Sequence, residues 1–246
     1  MKTALVTGGS KGIGLQLVLR WLEKGYQVIT CSRDSRTWQK EVRANSDLSR
    51  VDYTELDISD DTQLIAWFKT IEERYGALDV AVNNASPILS SNGDYRHVEL
   101  RALKETLDLD FWAQAMCLKY ELNLMSAGSS LVNMSSVNGL RPTPNASMYS
   151  ATKHAIEGLT RSLALENISR GVRINAVAPG VTWTSRWELK KGANPNIRQD
   201  VEKEVPLKRF AQPKEVVDAI EFLLSPQASY IVGHTLVVDG GLSLAG

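Results

Sequence analysis

The chain has 246 residues, of which 43% are hydrophobic and 23% are charged. These are ordinary values for a globular protein, and the length suits one α/β domain, so we expect a single domain over residues 1–246. The 28 basic residues equal the 28 acidic ones, which gives a formal net charge of zero. This balance argues against a nucleic-acid-binding protein, whose surface must neutralise phosphates.

The composition also argues against a disulfide scaffold, a metal site and a membrane protein. The two cysteines, Cys31 and Cys117, do not form a disulfide framework, and neither has metal-ligand spacing. No apolar stretch approaches the ~20 residues that span a bilayer. The first residues, MKTALVTGG, predict a strand and a turn rather than a signal peptide. We therefore expect a cytoplasmic protein with no metal, membrane or nucleic-acid partner.

Short β-branched runs alternate along the chain with longer helical patterns. The pattern predicts helices over 12–25, 61–76, about 99–125 and 150–171. It predicts strands over 3–7, 27–32, 51–56, 78–83, 130–135, 173–178 and 235–239. This alternation is typical of an α/β fold: one doubly wound, Rossmann-like domain whose parallel sheet of about seven strands carries helices on both faces. Ligands of such sheets bind at the carboxyl ends of the strands.

The segment between Pro179 and Pro206 is irregular, with scattered Gly, Asn, Pro and charged residues. Long loops of compact domains are often functional lids. Because this segment follows a strand end, we expect residues of about 181–206 to form a substrate lid with a short helical element.

A glycine-rich turn, TGGSKGIG (7–14), follows the first strand and opens a helix. Gly8 and Gly12 allow the backbone to turn tightly and to approach a pyrophosphate, while Gly14 allows close packing of helix on strand. The helix N-terminus favours negative charge. A structural turn is the alternative, but the strand–turn–helix context favours binding of a dinucleotide phosphate.

The second strand ends at Ser32, and Arg33 follows at once. An acidic residue at this point would bind the adenosine ribose of NAD, whereas an arginine can meet the 2′-phosphate of NADP. Lys11 can reach the same region from the glycine turn. Two cations and no carboxylate favour NADP(H) over NAD. Two solvated surface charges are the alternative.

Tyr149 and Lys153 form a Y-x-x-x-K pair, and Ser136 lies thirteen positions upstream. A spacing of four on a helix places two side chains on one face. A nearby ammonium favours the phenolate form of a tyrosine and so lowers the pKa of the phenol. Such a group is suited to proton transfer in carbonyl/alcohol interconversion. Taken alone, the pair is also compatible with an ordinary helix turn.

Together these motifs give the chain a clear resemblance. It resembles the short-chain dehydrogenases/reductases of about 250 residues, and in particular the 3-oxoacyl-[acyl-carrier-protein] reductases and related carbonyl reductases. The resemblance covers nearly the whole sequence. It rests on TGGSKGIG, LDI (56–58), NNA (83–85), Ser136, the Tyr149/Lys153 pair, NAVAPG (175–180) and VDGG (238–241).

The resemblance implies a role for each catalytic position. Ser136 would hydrogen-bond the substrate carbonyl or hydroxyl. Tyr149 would be the general acid in reduction and the base in oxidation. Lys153 would favour the tyrosine phenolate and bind the nicotinamide ribose. The protein would then be an NADP(H)-dependent enzyme that reversibly reduces a ketone or aldehyde to an alcohol.

The resemblance also implies a set of cofactor contacts. The turn would hold the pyrophosphate, Asp57 and Ile58 would frame the adenine, and Asn83 would steady the central strand. The backbone of Val181 would meet the carboxamide. The full set is Gly8, Ser10, Lys11, Gly12, Ile13, Gly14, Ser32, Arg33, Asp57, Ile58, Asn83, Ala85, Tyr149, Lys153, Pro179, Gly180, Val181 and Thr184.

Two positions depart from the family pattern. The family motif NNAG reads NNAS, with Ser86 at its end, so the loop after the fourth strand can run differently. The family also carries an asparagine in the central helix whose backbone carbonyl holds a water. Here that position is Asp110, with Asp108 as the alternative. We expect Asp110 to join the catalytic group, because a buried carboxylate beside Lys153 would partly offset its effect on Tyr149.

Three further expectations concern substrate, assembly and alternative functions. Trp183 and Trp187 would either pack the lid or contact an apolar ring or alkyl substrate. The resemblance implies a dimer or tetramer formed through the helices near 99–125 and 150–170. One alternative is a cofactor-binding regulatory protein that has lost catalysis. Another is an epimerase or dehydratase, whose chains are usually longer.

Overall fold

A computed structural model describes residues 1–87 and 89–245. Seven strands form one parallel sheet in the order β3-β2-β1-β4-β5-β6-β7. Since the order reverses between β1 and β4, the carboxyl ends of these two strands open a crevice. The strands are β1 Thr3–Thr7, β2 Gln27–Ser32, β3 Asp52–Glu55, β4 Val80–Asn83, β5 Ser130–Met134, β6 Arg173–Pro179 and β7 Thr235–Val238.

Helices connect these strands. They are α1 Gly12–Glu23, α2 Ser35–Ala44, α3 Asp61–Tyr75, α4 Leu100–Leu107, α5 Ala113–Leu124, α6 Ser147–Ile168, α7 Ser185–Ala193, α8 Ile197–Glu204 and α9 Pro213–Leu224. Short 3₁₀ turns lie at Ser46–Arg50, Tyr95–His97, Val137–Gly139 and Pro226–Ala228. Within the described ranges, none of the helices combines the length and the apolar character needed to cross a bilayer.

The strands separate two apolar layers because successive side chains point to opposite faces. In β1, Val6 packs into the layer covered by α1 and α9, whereas Leu5 packs into the layer covered by α3, α5 and α6. Both side chains are fully buried. A doubly wound sheet follows, which confirms the fold predicted from the alternation of strands and helices.

The helices differ from the sequence prediction in several places. The helices Ser35–Ala44 and Pro213–Leu224 were not predicted, although each carries a start signal. The side chain of Asp34 accepts a hydrogen bond from the backbone N–H of Arg36, and Pro213 occupies the first position of its helix. The segment of residues 181–206 contains two helices, α7 and α8, rather than one short helical element.

The predicted central helix of residues 99–125 contains an interruption. Between α4 and α5 the backbone follows a π-helical path over Asp108–Trp112. Such segments often occur at functional sites, because the wider turn redirects side chains. Here it turns Asp110 into the protein interior, where the residue is 1% exposed.

Candidate active site

A cavity of about 640 Å³ opens at the carboxyl ends of the strands, beside the β1/β4 crevice. The glycine turn, the ends of β2, β5 and β6, the start of α6 and helix α7 all contribute to its wall. Most of the predicted site residues line it. They are Gly8, Ser10, Lys11, Gly12, Ile13, Ser32, Arg33, Asp57, Ile58, Ala85, Ser136, Tyr149, Lys153, Pro179, Gly180, Thr184 and Trp187.

Glycine is required in the turn by backbone conformation and by packing. Gly8 has φ +75°, in the left-handed region that side chains disfavour. A Cβ on Gly14 would lie 2.3 Å from the carbonyl oxygen of Gly8, so helix α1 could not pack this closely on the turn with a larger residue. The turn therefore leaves its backbone open towards the cavity, as a phosphate cradle needs.

Two cations line the cavity wall, one in the glycine turn and one directly after β2. Lys11 and Arg33 are both exposed and both line the cavity. One acid missed by the sequence analysis, Asp34, lies beside them. Its carboxylate accepts hydrogen bonds from the backbone and the side chain of Arg36, which lower the pKa of Asp34. Asp34 is therefore engaged at the start of α2 and does not pair with Arg33.

Ser136, Tyr149 and Lys153 meet at the opposite end of the cavity. Ser136 follows β5, and its hydroxyl accepts a hydrogen bond from the backbone N–H of Asn138 at 3.2 Å. Tyr149 and Lys153 lie one turn apart on α6, with the lysine Nζ 5.6 Å from the centre of the tyrosine ring. The Lys153 side chain is buried, and Nζ donates to the carbonyl oxygen of Met134 at 3.1 Å.

Asp110, in the π-helical segment, approaches Lys153. Its Oδ1 lies 3.8 Å from Nζ of Lys153 and accepts a hydrogen bond from the Ser86 hydroxyl at 2.7 Å. Its Oδ2 is buried without a hydrogen-bond partner in the described part of the chain. Asp108, the alternative, points elsewhere and pairs with Lys104 at the surface. Of the two aspartates, Asp110 is therefore the one that lies beside Lys153.

Four other predicted site residues do not line the cavity within the described ranges: Gly14, Asn83, Val181 and Trp183. Gly14 acts through packing, as described above. Asn83 is fully buried at the end of β4. The carbonyl of Val181 accepts a hydrogen bond from the backbone of Ala211, which joins the lid to the segment before α9.

The two lid tryptophans have different surroundings. Trp183 and Trp187 both pack edge-on against Phe210, at 4.9 and 5.0 Å between ring centres. The indole N–H of Trp183 donates to Glu188, and the guanidinium of Arg198 lies 4.7 Å from its ring. These contacts favour packing of the lid over substrate contact as the role of Trp183. Trp187 lines the cavity and is available to an apolar ligand.

Asn84 is a cavity residue that the sequence analysis did not single out. Its side chain donates to the carbonyl oxygens of Thr7 and Gly8 at 3.0 and 3.3 Å. The backbone N–H groups of Asn84 and Ala85 both donate to the buried hydroxyl of Thr7. The NNA motif therefore fastens the loop after β4 to the glycine turn. The glycine turn and the NNA motif lie about 77 residues apart in the sequence, and no local pattern predicts their contact.

A buried acid lies under the sheet. Glu121 on α5 is 0% exposed, and its Oε2 accepts a hydrogen bond from the side chain of Asn83 at 2.7 Å. Burial raises the pKa of Glu121 to about 8, against the opposing effect of the bond from Asn83. Asn83 also donates to Asn133, which in turn donates to Thr160 on α6. These bonds join β4, β5, α5 and α6.

Known proteins resemble this chain along nearly its whole length. The family model described as enoyl-(acyl carrier protein) reductase matches residues 8–243. The cis-4-hydroxycyclohexanecarboxylate dehydrogenase of Sinomonas cyclohexanicum is 35% identical, over 98% of this chain and 96% of that protein. A short chain dehydrogenase/reductase of Aspergillus oryzae is 34% identical, over 99% and 95%. The solved structure of ElxO with NADP bound has a TM-score of 0.91 and 31% identity, over 98% of both chains.

Proposed function

The chain belongs to the short-chain dehydrogenase/reductase family, and we propose that it interconverts a ketone or aldehyde and an alcohol with NADP(H). The single observation that carries the proposal is that Ser136, Tyr149 and Lys153 line the same cavity as the glycine turn. A proton donor and a dinucleotide cradle within one cavity are what such a reaction needs.

The residues of the cavity suit a dinucleotide. The open backbone from Gly8 to Ile13 suits a pyrophosphate at the start of α1. Lys11 and Arg33 suit a 2′-phosphate, because Asp34 is engaged by Arg36 and leaves both charges for a ligand. The bound nicotinamide would supply the hydride. The NADP of the ElxO structure supports the same cofactor here.

The remaining chemistry belongs to side chains of this chain. During reduction, the carbonyl carbon gains a hydride and its oxygen gains the phenolic proton of Tyr149. The Ser136 hydroxyl would hold the oxygen as its negative charge develops, which is the kind of preorganised contact that contributes most to catalysis. Lys153 stabilises the phenolate left behind. In alcohol oxidation the same groups act in reverse, with Tyr149 as the base.

Asp110 acts here as a positioning residue. It lies 3.8 Å from Lys153 but does not line the cavity in the described ranges. Its carboxylate attracts the ammonium and partly offsets the positive charge that favours the phenolate. Ser86, on the cavity wall, holds that carboxylate by its hydroxyl. The pair would thus adjust the electrostatic environment of the Lys153 ammonium beside Tyr149.

The cavity is best suited to a substrate that contains an apolar ring. Leu109, Trp187 and Leu189 contribute apolar surface to the end of the cavity beside the lid. The relative from Sinomonas is named for a hydroxycyclohexane, a ring alcohol. We propose a cyclic alcohol or ketone as the substrate class, because the flat ring of Trp187 and the aliphatic surface of the two leucines favour an apolar ring over a small polar molecule.

We also propose that the protein is a homo-oligomer. The helices expected at the interface carry exposed apolar side chains, Leu107 and Trp112 on one and Leu165 and Ile168 on the other. A second copy would bury them. Sedimentation at micromolar concentration would give a dimer or tetramer, whereas a monomer would contradict this part of the proposal.

The test of the function is a panel of carbonyl compounds assayed with NADPH and with NADH. Cyclohexanones and aliphatic aldehydes are supplied in turn, and oxidation of the cofactor is followed by absorbance. We expect carbonyl-dependent oxidation of NADPH, faster than that of NADH, and highest with cyclic ketones. Binding of NADPH without turnover of any carbonyl would instead favour the regulatory protein considered above.

A further inference from the structure

Arg186 is a cation on the cavity wall that the proposed reaction does not use. It lies in the first turn of α7, next to Trp187, and its side chain is partly buried. Its Nη2 donates to the carbonyl oxygens of Ser86 and Pro87, at 3.0 and 2.8 Å. The side chain therefore crosses from the lid to the loop after β4 and is held there by two backbone acceptors.

The guanidinium of Arg186 has no carboxylate partner among the described residues. None of its nitrogens lies within 4.0 Å of a carboxylate of the described residues, and its two hydrogen bonds both come from Nη2. A guanidinium has five N–H donors in a fixed plane. Nε and Nη1 therefore retain donors that have no protein acceptor in the described chain. An oriented guanidinium with free donors in a cavity is suited to a planar carboxylate.

We propose that Arg186 binds a carboxylate of the substrate, so that the ring alcohol or ketone of the proposed function also carries an acidic group. This inference rests on the proposed function for the identity of the reacting carbon. The ring would lie against Trp187, and the carboxylate would accept hydrogen bonds from the Arg186 donors that the carbonyls of Ser86 and Pro87 leave free.

The position of Arg186 favours the substrate over a phosphate of the cofactor as the source of the anion. On the lid, Thr184 is the residue that faces the glycine turn, since a Cβ on Gly12 would meet its Cγ2 at 3.3 Å. Arg186 instead contacts Ser86, whose hydroxyl bonds Asp110 beside Lys153. The guanidinium is thus fastened near the reacting end of the cavity.

Binding of two ring compounds of one shape tests the proposal without requiring turnover. Cyclohexanecarboxylate and its neutral counterpart cyclohexanecarboxamide are titrated into the protein by calorimetry, with and without NADP. We expect the carboxylate to bind more tightly to the wild-type protein. Arg186→Met should weaken carboxylate binding about ten- to a hundredfold, as expected for a lost charged hydrogen bond, and leave the carboxamide unchanged.

Control variants separate charge from lid structure. Lys191→Met removes a positive charge from the same helix at an exposed position, and should change neither affinity. Arg186→Lys should recover part of the carboxylate affinity. Equal weakening of both compounds by Arg186→Met would mean that the residue only holds the lid, and would overturn the proposal. Equal or undetectable binding of both compounds to the wild-type protein would overturn it as well.

The affinity for NADPH distinguishes the two sources of the anion. Measured by cofactor fluorescence, it should be the same for wild type and Arg186→Met. A tenfold loss of NADPH affinity with carboxylate binding intact would assign Arg186 to a cofactor phosphate and contradict the proposal. Failure of the proposed function would appear separately, as absence of NADPH oxidation in the carbonyl panel.

Discussion

The hydroxyl of Ser86 donates to Oδ1 of Asp110 at 2.7 Å, so the two positions that the sequence analysis interpreted as departures from the family pattern touch each other. The π-helical turn brings Asp110 into the interior, and the loop after β4 brings Ser86 to it. A glycine at position 86 would leave this carboxylate oxygen without its donor. Because a buried carboxylate needs such a donor, the two departures are best understood as one change.

Asp110→Asn should raise kcat for alcohol oxidation at a fixed, near-neutral pH. The amide keeps the shape of the side chain but removes a negative charge 3.8 Å from Lys153. The full positive charge of the ammonium then acts on Tyr149, the proposed base of the oxidation. The measurement is kcat at that pH with NADP and a cyclic alcohol.

Asp108→Asn is the matched control, because Asp108 pairs with Lys104 at the surface and not with Lys153. Its kcat should coincide with that of the wild type. If the kcat of Asp110→Asn also coincides with the wild-type value, Asp110 does not influence the catalytic proton.

Ser86→Ala should lower the free energy of unfolding by about 1–3 kcal/mol, because it leaves a buried carboxylate oxygen unsatisfied. In the Asp110→Asn background the same substitution should cost less, since the amide is neutral. Denaturant unfolding of the two single variants and the double variant measures the coupling. Ser162→Ala, which removes a hydroxyl bonded to the carbonyl of Gly158 on exposed helix surface, should change stability little. Strictly additive effects would contradict the coupling of Ser86 and Asp110.

Arg33→Ala should raise KM for NADPH and leave KM for NADH nearly unchanged. The 2′-phosphate is the part of NADPH that NADH lacks, and Arg33 lines the end of the cavity where it would bind. Arg43→Ala, on the exposed end of α2, serves as the control for general loss of charge. A parallel rise of KM for both cofactors would argue against recognition of the 2′-phosphate by Arg33.

Glu121→Gln should make the free energy of unfolding less sensitive to pH between about 4.5 and 8. Burial raises the pKa of Glu121 from 4.5 to about 8, so the unfolded chain releases this proton before the folded one does. The stabilising contribution of protonated Glu121 is complete below about pH 4.5, and it is lost as the pH rises towards and through about 8.

Unfolding by urea at several pH values checks this. The wild type should lose stability relative to Glu121→Gln across that range, by roughly 5 kcal/mol at most. The amide can still accept the bond from Asn83, so the variant keeps the local structure. If the difference in the free energy of unfolding between the two proteins is the same at all pH values, the pKa of Glu121 does not differ between the folded and the unfolded chain.

Local patterns predicted the fold and the ends of the cavity. The strands follow from β-branched runs, and the Tyr149/Lys153 pair follows from helical spacing. The glycine turn was recognisable because Gly8 adopts a positive φ and Gly14 packs against the backbone of Gly8, and both positions require glycine. These features depend on neighbouring residues, which the sequence displays directly.

Contacts between distant segments were not predictable in the same way. Arg186 bonds carbonyls about a hundred positions away, and Ser86 meets Asp110 across 24 positions. The sequence could suggest that Asp110 lies near Lys153, because the family register places it there. It contained no sign of the hydrogen bond from Ser86, and it predicted one short helical element where the lid has two helices, since both features depend on how separate elements pack.

Tyr149→Phe tests the central claim most directly. The variant lacks only the phenolic hydroxyl, so its affinity for NADPH should stay close to that of the wild type while carbonyl-dependent oxidation of NADPH falls to background. Both quantities are measured on the same preparation, by cofactor fluorescence and by absorbance with a cyclic ketone. Wild-type turnover in Tyr149→Phe would contradict the assignment of Tyr149 as the proton donor.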